Sequence, residues 1–140
     1  MKTITDYLIK KKQVIIPISG YDIKFELKGR FISIEFDGLR YVRNAYSGDV
    51  CEYIQEAFEN ETGLEMRFCD ECGKPFDTGY TAEDGSWYCC EDCFRPAMDK
   101  DYGNNNWRAT EQLGDNGGYY EYLTDEDEWE DTGIYWTEWN

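Results

Sequence analysis

The sequence predicts an α+β protein in which a small antiparallel sheet with one or two helices is followed by a cysteine-rich module and an acidic β-hairpin tail. Three observations carry that expectation. Between Val14 and Val42, apolar residues recur largely at every second position, the period of strands with one buried face. From Val50 to Phe58 they recur at helical spacing. Five of the six cysteines fall in two short groups between Cys69 and Cys93. These features divide the chain into an α+β unit over 1–66, a cysteine module over 67–100 and an acidic aromatic segment over 101–140.

The elements follow in order. Thr3 or Thr5 can cap a short N-terminal helix carrying Tyr7, Leu8 and Lys11 in its turns. Val14 to Ile18 is a β-branched run, Ile23, Phe25 and Leu27 alternate with polar residues, and Phe31 to Phe36 does the same. Asp37-Gly38 is a tight-turn pair leading into Leu39 to Val42, so the pattern is an antiparallel meander. Asp49 or Ser47 caps a helix with Val50, Tyr53, Ile54, Ala57 and Phe58 on one stripe, and Gly63 stops it. That stripe is expected to cover one sheet face. Cys51 neighbours it and reads as a half-buried structural thiol, with no basic neighbour to activate it. After Pro96 the chain turns polar, and Asn104, Asn105, Asn106, Gly114, Gly117 and Gly118 suggest a linker or exposed loop. Tyr119 to Leu123 and Ile134 to Trp139 read as the strands of a hairpin around the acidic turn Asp125 to Asp131.

Composition limits the chemistry. The 140 residues include 17% aromatics, enough for a real core, and 30 acidic against 14 basic side chains give a net charge of -16. With no histidine, imidazole-based hydrolytic triads and His-ligated catalytic zinc are excluded. Charge is also uneven. Residues 1–43 carry a net +4, the remainder carries -20, and no Lys or Arg occurs from Ala109 to Asn140. A chain this acidic is repelled by nucleic-acid phosphates. No run approaches the roughly 20 apolar residues of a membrane span, and nothing near the N-terminus has the pattern of a signal peptide. The expectation is a reducing cytosol, where cysteines bind metal or stay reduced.

Residues 68–94 read FCDECGKPFDTGYTAEDGSWYCCEDCF. Cys69 and Cys72 form one C-x2-C pair, and Cys89, Cys90 and Cys93 form the second group sixteen residues later. Two short-spaced pairs brought together by a hairpin supply the four thiolates that tetrahedral zinc requires, and four thiolates leave no open position, so one structural Zn2+ is expected. Gly73 lets the first knuckle turn, while Glu91 and Asp92 suit the first turn of a short helix carrying Cys93. Iron in a rubredoxin-like site would use the same ligands, but CEDCF lacks the glycine of the first knuckle. A thioredoxin-like redox pair would need a surrounding βαβ pattern, which is absent. Three cysteines compete for two places in the second group, and the C-x2-C rule by itself favours Cys90 with Cys93 over Cys89.

The string WYCCEDCF resembles the common treble-clef ending YYCSEEC, in which the first Cys precedes a helix-capping Ser. That resemblance implies a treble-clef or zinc-ribbon-like module in which Cys69, Cys72, Cys89 and Cys93 hold the metal and Cys90 takes the capping place. The segment from Phe68 to Phe94, with the acidic tail ending YWTEW, is similar to small zinc-knuckle proteins of phages and prophages of Gram-positive bacteria. With its basic α+β N-terminal part, the whole layout resembles phage-borne type II-A anti-CRISPR proteins, small acidic inhibitors of the host's RNA-guided nuclease. The resemblance implies a protein inhibitor acting in the host bacterial cytoplasm, with no catalytic residues.

The tail supplies the expected partner surface. Asp125, Glu126, Asp127, Glu128, Glu130 and Asp131 can occupy a cationic groove built for a phosphate backbone, and Tyr122, Trp129 and Trp136 stand beside them as anchor residues. The alternative for these rings is packing on the zinc module. TDEDEWEDTG lacks the central glycine and ligand spacing of an EF-hand, so calcium is not expected. The expected partner is a type II CRISPR nuclease, whose guide–target duplex lies in a positively charged channel. A rival expectation is a regulator that binds DNA through Lys10, Lys11 and Lys12. No constellation of Asp, Glu, Tyr or Lys has a recognisable catalytic spacing, so an enzyme is not expected.

Overall fold

The computed structural model describes residues 2–110 and 118–140. Gly114 and Gly117 of the expected linker lie outside them. The architecture is α+β with antiparallel sheets, and the chain divides into two compact units, Met1–Asp77 with Trp139–Asn140, and Thr78–Glu138.

In the first unit, α1 (Ile4–Lys11) starts at Thr3. The backbone N–H and hydroxyl of Thr3 donate to the Asp6 carboxylate at 2.8 and 3.2 Å. The backbone bond is the main reason that Asp6 lies below the ordinary carboxylate range. Strands β1 (Gln13–Ile18), β2 (Tyr21–Lys28), β3 (Phe31–Phe36) and β4 (Leu39–Asn44) form a meander in sequence order. Asp37 and Gly38 turn between the last two with φ of +50° and +77°, the left-handed pair that matches the twist of a two-residue hairpin.

Helix α2 (Val50–Thr62) begins after Asp49 and ends at Gly63. The Asp49 carboxylate accepts hydrogen bonds from the Ser47 hydroxyl and the Arg43 guanidinium, which lower its pKa in that order of effect. Ile4 and Leu8 from α1, Ile23, Phe25 and Ile34 from the strands, and Ile54 and Phe58 from α2 join one buried cluster. Each such side chain contributes about 1.5–3 kcal/mol through burial. Cys51 packs against this cluster, and burial pushes its thiol pKa up. The two-residue strands β5 (Arg67–Phe68) and β6 (Pro75–Phe76) pair across the first cysteine turn.

The second unit contains β7 (Thr78–Ala82), β8 (Trp87–Tyr88), α3 (Glu91–Tyr102), β9 (Trp107–Ala109), β10 (Tyr119–Leu123) and β11 (Trp129–Glu138). Its strands form an antiparallel sheet in the order β8-β7-β11-β10-β9. Phe94, fully buried on α3, is the hub of the core. The rings of Tyr120, Tyr80, Trp107 and Tyr88 surround it at centroid distances of 4.5, 4.8, 6.1 and 6.2 Å.

Two sequence expectations are modified here. The helix carrying Cys93, expected to be short, runs past Pro96 to Tyr102. Pro96 removes one backbone donor in the second turn, while Phe94 and Met98, one turn apart and both buried, hold the helix against the sheet. The β10–β11 hairpin forms, but β11 also pairs with β7 and starts at Trp129, so Glu130 and Asp131 belong to a strand rather than to the turn.

Candidate functional site

The first cysteine turn is fixed by its own backbone. The Cys69 N–H donates to the Lys74 carbonyl at 3.0 Å, and the Gly73 N–H donates to the Cys69 carbonyl at 2.9 Å. Gly73 has φ of +80°, and the Lys2 N–H donates to the Asp70 carbonyl at 3.1 Å, which ties the start of the chain to this turn. The second group sits where β8 passes into α3. Cys90 is the N-cap residue, in extended conformation, and its carbonyl accepts from the Cys93 N–H at 3.1 Å.

The Sγ atoms of Cys69, Cys72, Cys89 and Cys93 all lie within 4.8 Å of one another. Zinc–sulfur bonds of about 2.3 Å at tetrahedral corners place sulfurs about 3.8 Å apart, so the grouping has the dimensions of a four-thiolate cage. The Cys89 and Cys93 sulfurs are 3.5 Å apart, beyond the roughly 2.05 Å of a disulfide. This cluster could bind a metal ion, and the donor set, sulfur alone with no carboxylate among it, suits a soft or borderline cation. Cys90, which stood beside Cys89 as a possible fourth ligand, is exposed at the helix N-cap, with its sulfur 3.8 Å from that of Cys89 and 3.7 Å from that of Cys93.

The acidic segment folds as a hairpin whose turn is tied back on itself. The Thr124 N–H donates to the Glu128 carbonyl at 2.8 Å, and the Thr124 hydroxyl accepts from the Glu126 and Glu128 N–H groups. Asp125, Glu126, Asp127, Glu128, Glu130 and Asp131 are all exposed. The three aromatic residues beside them differ in their surroundings. Tyr122 stacks on Tyr102 of α3 at 4.5 Å and donates its hydroxyl to Glu130 at 2.8 Å, a bond that raises its pKa. Trp136 packs edge-on against Tyr80 at 5.3 Å. Trp129 instead carries the Arg108 guanidinium 4.2 Å from its ring centroid, and Arg108 also pairs with Glu121 at 3.0 Å. The Tyr135 hydroxyl donates to Asp131, which pushes the phenol up to about 12.

Lys10, Lys11 and Lys12 are exposed at the end of α1. No helix among the described residues is long and apolar enough to cross a membrane.

Sequence reasoning did not single out a small cavity between α3 and its sheet. Its lining includes Glu83, Asp84, Met98, Asp101 and Tyr102. No local signal marks it, because its lining comes from β7, α3 and β11, which are far apart in the sequence. Compared with known proteins, the chain matches no family model, no curated protein and no solved structure.

Proposed function

We propose that the chain is a zinc-stabilised protein inhibitor of the phage anti-CRISPR kind that its sequence resembles. It binds the host type II CRISPR nuclease in the bacterial cytoplasm and blocks loading of target DNA, without chemistry of its own. Zinc, held by Cys69, Cys72, Cys89 and Cys93 in a treble-clef or zinc-ribbon-like module, is structural, because four thiolates leave no position for substrate or water.

The observation that carries this reading is the hairpin tip. Asp125, Glu126, Asp127 and Glu128 are exposed together in a turn held by Thr124, within a stretch that has no basic residue from Ala109 onward. Such a field steers the protein toward a cationic surface and raises the association rate. The groove that holds a guide–target duplex is a surface of that kind.

Replacing Asp125, Asp127, Glu128 and Asp131 together by their amides tests the reading. Nuclease inhibition should weaken chiefly through slower association, and the parent should depend more steeply on salt than the variant. A variant that inhibits as fast as the parent contradicts it. Binding of the isolated protein to bare duplex DNA, weakened by neutralising Lys10, Lys11 and Lys12, would point to a regulator instead.

A further inference from the structure

The cavity between α3 and the sheet has a floor and a rim of opposite character. Its floor is apolar, with Met98 and Ile134 almost completely buried and Tyr88 and Ala97 beside them. Its rim carries Glu83, Asp84 and Asp101, and among the described residues no Lys or Arg lines it. None of the three carboxylates forms an ion pair among the described residues. The volume is about 260 Å³, at the lower edge of small-molecule sites and suited to one long side chain.

The surroundings add to the local negative potential. Burial first, and then Asp101, Glu83, Asp131 and Asp84, push the Tyr102 phenol up. Asp101 lies at the C-terminal end of α3, where the helix carbonyls contribute further negative charge. An acid there breaks a local preference, and a cation from outside would relieve both it and the rim. The walls include the rings of Tyr88 and Tyr102, and the chain elsewhere uses aromatic rings to receive guanidinium groups. Arg43, Arg67, Arg95 and Arg108 lie over Tyr53, Trp139, Trp107 and Trp129 at 5.1, 5.6, 5.6 and 4.2 Å.

We propose that this cavity is a docking pocket for an arginine side chain from a basic segment of the partner protein. The apolar floor takes the arginine stem, and the carboxylates of Glu83 and Asp101 take the guanidinium. Tyr102 is stacked on Tyr122 of the acidic hairpin, so the pocket and the hairpin belong to one surface. The inference rests on the proposed docking to a basic partner and deepens it by naming an anchor.

The test uses the full, metal-loaded chain and a fluorescent peptide of alternating Gly and Arg, with a Gly and Lys peptide of equal charge as control. The arginine peptide should bind more tightly than the lysine peptide. Ala97→Leu, which fills the pocket without changing charge, and Asp101→Asn should each weaken arginine-peptide binding by about tenfold. Circular dichroism of both variants should match the parent. Equal affinity for the two peptides, or a folded Ala97→Leu variant that binds as the parent does, overturns the proposal. Capture of the CRISPR nuclease separates this from the wider reading. If Ala97→Leu captures it as well as the parent, the pocket assignment fails alone. If pocket-dependent peptide binding holds and the parent captures no nuclease, the wider reading fails and the pocket stands.

Discussion

The Thr3 carbonyl oxygen occupies the space that a side chain on Gly73 would need, since a Cβ there would stand 2.0 Å from it. The same glycine holds φ of +80° and closes the Cys69 turn through its N–H. Gly73→Ala should therefore strain the turn and displace the start of α1, at a cost of about 1–3 kcal/mol. Chemical denaturation should show the loss of stability, and metal titration should show weaker binding. A fully stable variant with parental metal affinity would contradict this account of the turn.

Cys89 and Cys90 are neighbours in sequence with different places in the fold. Cys89 supplies one of the four mutually close sulfurs, while Cys90 occupies the N-cap position of α3. Cys89→Ser should lose most of the bound metal. Cys90→Ser should keep it, because Ser is itself a favoured cap residue. Elemental analysis of the two purified variants distinguishes them, and equal loss would assign both thiols to the metal. Chelation of the parent should unfold at least residues 68–94, because so short a segment cannot bury enough core alone.

Phe94 gathers four aromatic rings around it and is fully buried. Phe94→Ala should cost about 3–5 kcal/mol. The near-ultraviolet circular dichroism of the surrounding Tyr and Trp side chains should collapse at a lower temperature than in the parent.

The bond from Tyr135 to Asp131 makes a prediction about alkaline pH. The phenol is raised to about 12 in the fold, chiefly by that hydrogen bond, from an ordinary value near 10. The neutral phenol is thus favoured by folding. Its contribution to stability is complete below about pH 10 and is lost as pH rises through about 12. Asp131→Asn should bring the Tyr135 titration back toward the ordinary value, read as the difference in phenolate absorbance between this variant and one also carrying Tyr135→Phe. An unchanged titration would mean that Asp131 does not hold the phenol.

Local signals made much of the first unit legible. The alternation Ile23, Phe25, Leu27 and the pair Asp37-Gly38 determine strand faces and a turn over a few residues, and Asp49 and Gly63 bracket α2. The cysteine spacing likewise indicated the sulfur cluster. The second unit depends on contacts between residues distant in sequence, which periodicity does not encode. Tyr80 lies within the cysteine motif yet pairs with Trp136 more than fifty residues later. Glu91 and Asp92 mark where the helix carrying Cys93 begins but not how far it runs, whereas the burial of Phe94 and Met98 that carries α3 past Pro96 is tertiary. The charge of the hairpin was plain, but the division of its rings was not. Tyr122 and Trp136 each pack on another ring while Trp129 holds Arg108, an arrangement set by neighbouring elements.

In the proposed inhibition, the acidic hairpin keeps target DNA from entering the nuclease. The most direct test is the fluorescence anisotropy of a labelled target duplex added to guide-loaded type II nuclease, with and without the zinc-loaded protein. DNA binding should be lost in the presence of the parent and regained with the Asp125, Asp127, Glu128 and Asp131 amide variant, while guide RNA and DNA remain chemically intact. Full target binding with only cleavage abolished, or a shortened guide RNA, would contradict the account.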